Sequence, residues 1–318
     1  MRAYIIRRLL LMIPTFLLVT LTIFVLIRLI PGSLIDLMVA QSGVAGGGEL
    51  TRAQLEKALG LDAPVHIQYI RWLGGILRGD FGVHLWEKTP VLDDVLHRLP
   101  VSFELGLLAL ITALLIAFPI GVYSAIRQDT GGDYIGRTIA ILFISLPSFW
   151  IGTMVMVYPS VWWGWSPDVH YMPFTEAPLA NLRQFIIPAI IMGMVMSGTA
   201  MRMTRTMMLE VLRQDYIRTA WSKGLKERTV VLRHALKNAL IPVVTVVGIQ
   251  VPVLIGGSVI LETIFALPGI GLKLIQALNQ RDYPSISGIN VFMASFVLII
   301  NLVVDLTYAY LDPRVRYQ

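Results

Sequence analysis

Few residues in this 318-residue chain have the type and spacing needed for covalent chemistry. The chain contains no cysteine, which excludes disulfides, thiolate metal sites and a cysteine nucleophile. It has no G-x-x-x-x-G-K-[ST], H-E-x-x-H or G-x-S-x-G motif and no glycine-rich dinucleotide fingerprint, so no Walker-type nucleotide site is written in it. Asp62, His66, Asp80, His84 and His97 are scattered, without the tight spacing of metal ligands, and read as surface or packed groups. Three carboxylic acids, Glu104, Glu262 and Asp305, fall within or beside apolar runs. Exposing such a group to lipid is costly, which makes Glu104 and Asp305 functional candidates, with Asp305 a candidate proton or cation site. Asp305 is seven residues from Asp312, so a place at the membrane surface suits it equally. Glu262, at the end of an apolar run, reads as facing the interface.

The richest polar pattern is the island at residues 207–238, between two apolar segments. Seven of its residues are basic (Arg213, Arg218, Lys223, Lys226, Arg228, Arg233, Lys237) and three acidic (Glu210, Asp215, Glu227). Apolar residues recur in pairs four apart, Tyr216/Ile217, Ala220/Trp221 and Gly224/Leu225, which gives one stripe on a helix with Arg218, Thr219, Ser222 and Lys223 turned away. Gly224 is expected to end or turn that helix. Val230, Val231, Ala235, Leu236 and Ala239 mark a second one. A loop that only sets membrane orientation needs the charge but not the stripes, so a docking surface for a soluble partner stands beside that plainer reading.

Composition shows what must position these residues. The chain is 56% hydrophobic and 14% charged, against about 25% charge in an ordinary soluble domain. That leaves too little polar surface for a water-soluble globule, and the bilayer is the expected solvent. The fold class is an all-α membrane protein with six transmembrane helices, at 9–30, 101–126, 138–158, 186–201, 239–260 and 289–311. The first run is too long for a signal-peptide core and ends in a turn at Pro31-Gly32, so it reads as a retained span. Between the first two spans, 31–100 reads as ordinary polar protein with helices at 51–59 and 64–77. Trp162, Trp163 and Trp165 form an aromatic belt, and 262–288 holds a kink at Pro268, Gly269 and Gly271 before a short one-sided helix. Pro252, Gly256 and Gly257 are the candidate pathway or gate, with simple close packing as the alternative. With the N-terminus inside, 16 of the 26 Lys and Arg fall in cytoplasmic stretches, which puts both termini and the 207–238 loop in the cytoplasm. The net charge of +6 therefore serves membrane topology rather than nucleic-acid binding. Membrane helices without an energy-converting site, joined to a basic helical loop, point to a machine whose motor is a separate polypeptide.

Several stretches then carry a specific resemblance over essentially the whole chain. They are YIIRRLLLMIPTFLLVTLTIFVLIRLIPG at the start, RMTRTMMLEVLRQDYIRTAWSKGLKERTVVLRHALKNALIP in the polar island, and ETIFALPGIG, NQRDYP and LDPRVRY toward the end. The chain resembles the B-type inner-membrane permease subunits of the oligopeptide/dipeptide/nickel class of ABC importers. In the general importer motif of that class (EAA, three residues, Gly) the matching positions are placed at Thr219, Ala220, Trp221 and Gly224. Thr219 then stands for the acidic residue and Trp221 for the second alanine.

The resemblance implies 1–30 as N-terminal segment and first helix, 31–100 as extracytoplasmic domain, 101–311 as permease core with 207–238 as coupling loop, and 312–318 as cytoplasmic tail. It implies ATPase coupling through Arg218, Thr219, Ala220, Trp221, Lys223, Gly224, Leu225, Lys226 and Arg228, with Ala220, Trp221 and Leu225 offering apolar contact and the basic residues charge pairing. It implies a second six-helix permease subunit, two ATPase subunits that bind the ATP and magnesium, and an extracytoplasmic substrate-binding protein. This chain itself would be non-catalytic and cofactor-free. Its place would be a bacterial or archaeal cytoplasmic membrane, and its cargo di- or oligopeptides moved by alternating access. Nickel chelates, glutathione or glycosides are alternative cargoes within the class. A proton-coupled secondary transporter and a non-transporting scaffold are the alternatives outside it.

Overall fold

The computed structural model describes residues 2–29, 62–168 and 170–311, with side chains described for these except at 2–4, 253–257 and 307–311. The expected helix at 51–59 and the tail at 312–318 lie outside the described residues. Apart from one isolated bridge between Val83 and Pro90, the described regular structure is helical. In chain order the helices are α1 (Arg2–Leu29), α2 (Val65–Ile76), α3 (Val91–Ile126), α4 (Gly131–Ser145), α5 (Ser148–Trp163), α6 (Pro178–Leu212) and α7 (Asp215–Ser222). A helical turn at Glu227–Thr229 and a π-helical segment at Val230–Ala235 lead into α8 (Leu236–Ile264), followed by α9 (Ile270–Asn279) and α10 (Tyr283–Leu311). Among the described residues, five helices are long and apolar enough to cross a membrane, or six if α4 and α5 count as one broken span.

Two departures from the sequence expectation have clear local causes. The helix expected from 101 begins at Val91 and runs straight through Pro100. Asp93 and Asp94 in its first turn favour a helix N-terminus, and Val91 and Val95 are buried. The single span expected over 138–158 is instead two helices bent by 89°. The break falls at Leu146-Pro147: proline disfavours the helical conformation in the residue before it, and Leu146 is extended with ψ 122°.

The chain divides into two compact units. The first comprises Met1–Ile5, Pro100–Leu272 and Ile299–Gln318, and the second Ile6–Leu99 and Lys273–Leu298. In the first unit, Val101, Leu105, Ala109 and Ala113 at four-residue spacing present one face of α3, against Phe185, Ala189, Met192 and Met196 of α6 and Leu261 and Phe265 near the end of α8. The small residues let backbones approach closely: a Cβ at Gly193 would lie 2.7 Å from the Ala109 carbonyl oxygen. In the second unit, Phe24 of α1 packs on Tyr69 and Trp72 of α2 at ring-centroid distances of 5.2 and 5.6 Å. The remaining faces of α1 expose Leu10, Leu18, Leu26 and Leu29, an apolar surface suited to lipid or to another membrane chain.

Candidate functional site

The polar island folds as a seated hairpin of short helical pieces. α7 is eight residues long, opened by extended Gln214. Ile217 and Ala220 are buried against Met208 of α6, Ala125 of α3, Val230, Val231 and Ala235 of the π segment, and Ala239 of α8. The Asn238 amide donates to the Tyr216 hydroxyl at 2.8 Å, tying α7 to the start of α8. Tyr216, Trp221 and Leu225 remain exposed, as do Arg218, Lys223, Lys226 and Arg228. Arg218 reaches Asp215 at 3.7 Å with both side chains almost fully in solvent, a contact that contributes little to stability. The apolar stripe read from the sequence thus splits. Ile217 and Ala220 anchor the helix to its own chain, while Trp221, Leu225 and the basic side chains face outward.

This corrects the reading of Ala220 as an outward contact, because a side chain 7% exposed has little surface to offer. Counting back from Gly224 also shifts the register of the motif that the resemblance implies. Three residues before Gly224 are 221–223, so the triplet falls on Arg218, Thr219 and Ala220, one residue earlier than first placed. That register puts the motif's second small residue at the buried position and leaves Trp221 outside it.

Gly224 closes α7. Its φ is +73° and its N–H donates to the Trp221 carbonyl at 2.9 Å, while Lys223 N–H donates to Thr219. Among the described residues, a Cβ at Gly224 would meet nothing within 4 Å. Glycine is therefore required here by backbone conformation rather than by space.

A second constellation surrounds Glu262 in the first unit. Its carboxyl group, read from sequence as facing the interface, is fully buried. Oε1 accepts from Ser102 Oγ at 2.7 Å and Ser258 Oγ at 2.8 Å, and Oε2 accepts from Leu272 N–H at 3.1 Å. Ser102 Oγ in turn accepts from Ile270 N–H at 2.9 Å. Together they satisfy two of the free N–H groups at the start of α9 and fix the turn between α8 and α9. A Cβ on Gly269 would come within 2.6 Å of Ser102 Oγ, so the turn needs glycine to close over the carboxyl. Ser258 and Glu262 are one helical turn apart, but no spacing rule joins them to residues 102 and 272, and the cluster was not legible in the sequence.

Glu104 accepts from Asn181 Nδ2 at 3.3 Å, and Asn181 also donates to the Met172 carbonyl at 3.0 Å. Burial, together with the nearby Glu104 and Glu176 carboxylates, pushes the Tyr171 phenol up from its ordinary value. Pro252 is buried within α8, and the surroundings of Gly256 and Gly257 lie outside the described residues. Asp305 is partly buried in α10.

In the second unit the histidine reading is refined. His84, 1% exposed, has its Nδ1 2.5 Å from Ser285 Oγ. Its ligand atoms and those of Glu87 and Asp94 lie within 4.8 Å of one another. The ammonium of Lys273, however, lies 2.6 Å from Glu87 and 3.4 Å from Asp94. The cluster thus carries its own cation, and it ties 84–94 to the 273–285 segment, where Asp282 accepts from Leu85 N–H at 3.1 Å. This donor set reads as a structural ion cluster rather than a metal centre.

Residues 117–317 match the family described as binding-protein-dependent transport system inner membrane component, and residues 1–106 match the N-terminal family of such membrane components. The chain is 37% identical to the dipeptide transport system permease protein DppB of Escherichia coli strain K12, with all of both chains covered. It is 39% identical to the oligopeptide transport system permease protein AppB of Bacillus subtilis strain 168, again over the whole of both. Among solved structures it is similar to the MetNI methionine ABC transporter in inward-facing conformations (TM-score 0.54, 16% identity, 69% of this chain and 96% of that one). It is also similar to an amino acid ABC transporter with histidines (TM-score 0.52, 13% identity, 69% and 94% covered). At such identities these two likenesses concern the fold alone.

Proposed function

The chain belongs to the family of binding-protein-dependent transport inner membrane components, and from that membership we propose that it is one permease subunit of an ATP-driven importer of di- or oligopeptides in a bacterial cytoplasmic membrane. The observation that carries the proposal is the full-length similarity to DppB and AppB, the permeases of a dipeptide and an oligopeptide system. As a membrane component it is non-catalytic, and ATP hydrolysis belongs to two separate ATPase subunits. A second permease subunit completes the pathway, and an extracytoplasmic binding protein delivers the peptide and supplies most of the selectivity.

The finer topology is part of the proposal. Counting α4 and α5 as one broken span gives six crossings, with both termini and the 207–238 loop in the cytoplasm and 31–100 outside, in keeping with the distribution of Lys and Arg. The loop is then the coupling element. Ile217 and Ala220 hold α7 on the ends of α3, α6 and α8, and Trp221, Leu225, Arg218, Lys223, Lys226 and Arg228 form the face offered to an ATPase groove. An exposed tryptophan accompanied by exposed basic residues at 218, 223, 226 and 228 has the composition of an interface anchor. Movement of the ATPases then reaches the spans through the seat under α7.

Trp221→Ala is expected to leave the chain's expression and melting unchanged, because the side chain is 44% exposed. It should weaken ATPase association by about tenfold, the scale of losing one interface anchor. Titrating purified ATPase onto permease in nanodiscs measures this, and unaltered affinity would remove Trp221 from the docking face. The proposal as a whole is tested by purifying the chain from its native membrane. Co-isolation of a second six-span chain and two ATPase subunits is expected. A chain that isolates alone and transports without them would overturn it.

A further inference from the structure

We infer that Asp133 and Arg205 are a positioning pair that makes α4 move as one body with α6 when the loop around Gly224 is displaced. The inference rests on the coupling reading above. Asp133, at the start of α4, is fully buried, whereas the Arg205 side chain is 20% exposed. Two parallel bonds join them, Arg205 Nε to Oδ1 at 2.7 Å and an Arg205 terminal nitrogen to Oδ2 at 2.7 Å. Ser124 of α3 also donates to Oδ1, and Asp129 N–H donates to Oδ2 at 3.0 Å. One carboxylate thus gathers α3, α6, the turn before α4 and α4 itself.

The position of the pair gives it meaning. Ser124 adjoins Ala125, and Arg205 precedes Met208 by less than one helical turn; Ala125 and Met208 both belong to the cluster on which α7 sits. Among the described residues, α4 contributes no side chain to that cluster. It reaches α6 through Asp133 and, further along, through apolar packing of Ala140 against Ala200 and Met201 and of Ile144 and the Ala140 carbonyl over Gly198, where a Cβ would lie 2.6 and 2.7 Å from them. Small apolar faces can slide past one another, whereas a two-bond guanidinium–carboxylate fork fixes distance and orientation together. Burying such a pair is a poor way to gain stability, since apolar residues of equal volume do as well or better. A fixed geometry between two helices is what the fork supplies and apolar contact does not. Sequence reading passed over the pair because Asp133 sits in a stretch read as a cytoplasmic turn. The available signal was an acid opening an apolar helix opposite an arginine inside a methionine-rich one.

The test uses the complete complex of both permease subunits and two ATPases in nanodiscs. Because the chain has no cysteine of its own, spin labels can be placed at I135C on α4 and E210C on α6, both exposed. In the parent the label distance is expected to be the same without nucleotide and after trapping with ATP and vanadate. In Asp133→Asn it should change on trapping, and dialanine uptake per ATP, with binding protein present, should fall by about tenfold, the scale at which residues within a linkage modulate it. A purely structural role would lower the yield of complex but would not make the distance depend on nucleotide. Should Asp133→Asn fail to assemble, Arg205→Lys keeps the charge and loses the fork, and the same change in distance is expected. A distance independent of nucleotide in assembled variants, or one that already varies in the parent, would overturn the inference. Gly224→Val run in parallel separates the two levels. Parent-level uptake per ATP in that variant sinks the coupling reading itself, whereas uncoupling there alongside a rigid Asp133→Asn sinks only the pair.

Discussion

Gly224→Val is expected to reduce peptide uptake per ATP hydrolysed by about thirtyfold, while Gly224→Asn retains most of it. The reason is the backbone rather than the size of the side chain. Gly224 holds φ +73°, a conformation that costs an L-residue about 1–2 kcal/mol, with β-branched residues at the high end and asparagine the most tolerated. About 2 kcal/mol converts to roughly thirtyfold in the equilibrium constant for seating the loop, and so in uptake where the seated and displaced loops lie close in energy during the transport cycle. Since a Cβ there meets nothing within 4 Å among the described residues, substitutions should rank by their tolerance of the left-handed conformation, in the order Gly, Asn, Ala, Val. Ranking by volume, with alanine better than asparagine, would mean that a partner subunit packs on this residue. Parallel measurement of ATPase rate and uptake in proteoliposomes distinguishes the two orders.

The largest loss of stability is expected from Glu262→Ala. The substitution removes the acceptor of Ser102 Oγ, Ser258 Oγ and Leu272 N–H in a buried site. Each buried donor left unmade costs about 1–3 kcal/mol. The serine hydroxyls can rotate toward helix carbonyls, but the Leu272 amide cannot, so a net loss of about 3 kcal/mol is expected. Glu262→Gln keeps the volume and one acceptor oxygen and should fall between parent and alanine. The readouts are the melting temperature of the purified complex and the rate of proteolysis in the 265–272 turn. A melting temperature and a cleavage rate equal to the parent's would show that the carboxyl does not hold the turn. Under the proposed topology this turn lies at the extracytoplasmic end of α8, so the loosened variant should also leak small peptides when ATP is absent.

How much could be read in advance depended on the range of the interaction. Local patterns carried far: five of the six apolar runs fall in helices long and apolar enough to cross a membrane, the four-residue spacing of Tyr216/Ile217 and Ala220/Trp221 anticipated α7, and Gly224 its end. The same spacing could not tell which edge of the stripe faces its own chain. That was decided by Met208, Val230 and Ala239 arriving from three other helical segments. The straight span expected over 138–158 failed because hydropathy is blind to direction, and Pro147 turns an apolar run through a right angle without changing its composition. Glu262, Asp133 and His84 looked isolated because the partners that tie them to other elements are distant in sequence. Ser102 is 160 residues from Glu262, Arg205 is 72 from Asp133 and Ser285 is 201 from His84. Polar residues in an apolar chain were the right places to look, and folding alone supplied their partners.

The most direct test of the central claim is uptake of radiolabelled dialanine and trialanine into proteoliposomes containing this chain, its permease partner and the two ATPases, with the binding protein outside. ATP sealed inside the vesicles should drive accumulation that requires the binding protein, persists in the presence of a protonophore and is lost when the chain carries Gly224→Val. Accumulation that proceeds without ATP and collapses with the protonophore would contradict the account and identify a proton-coupled transporter instead.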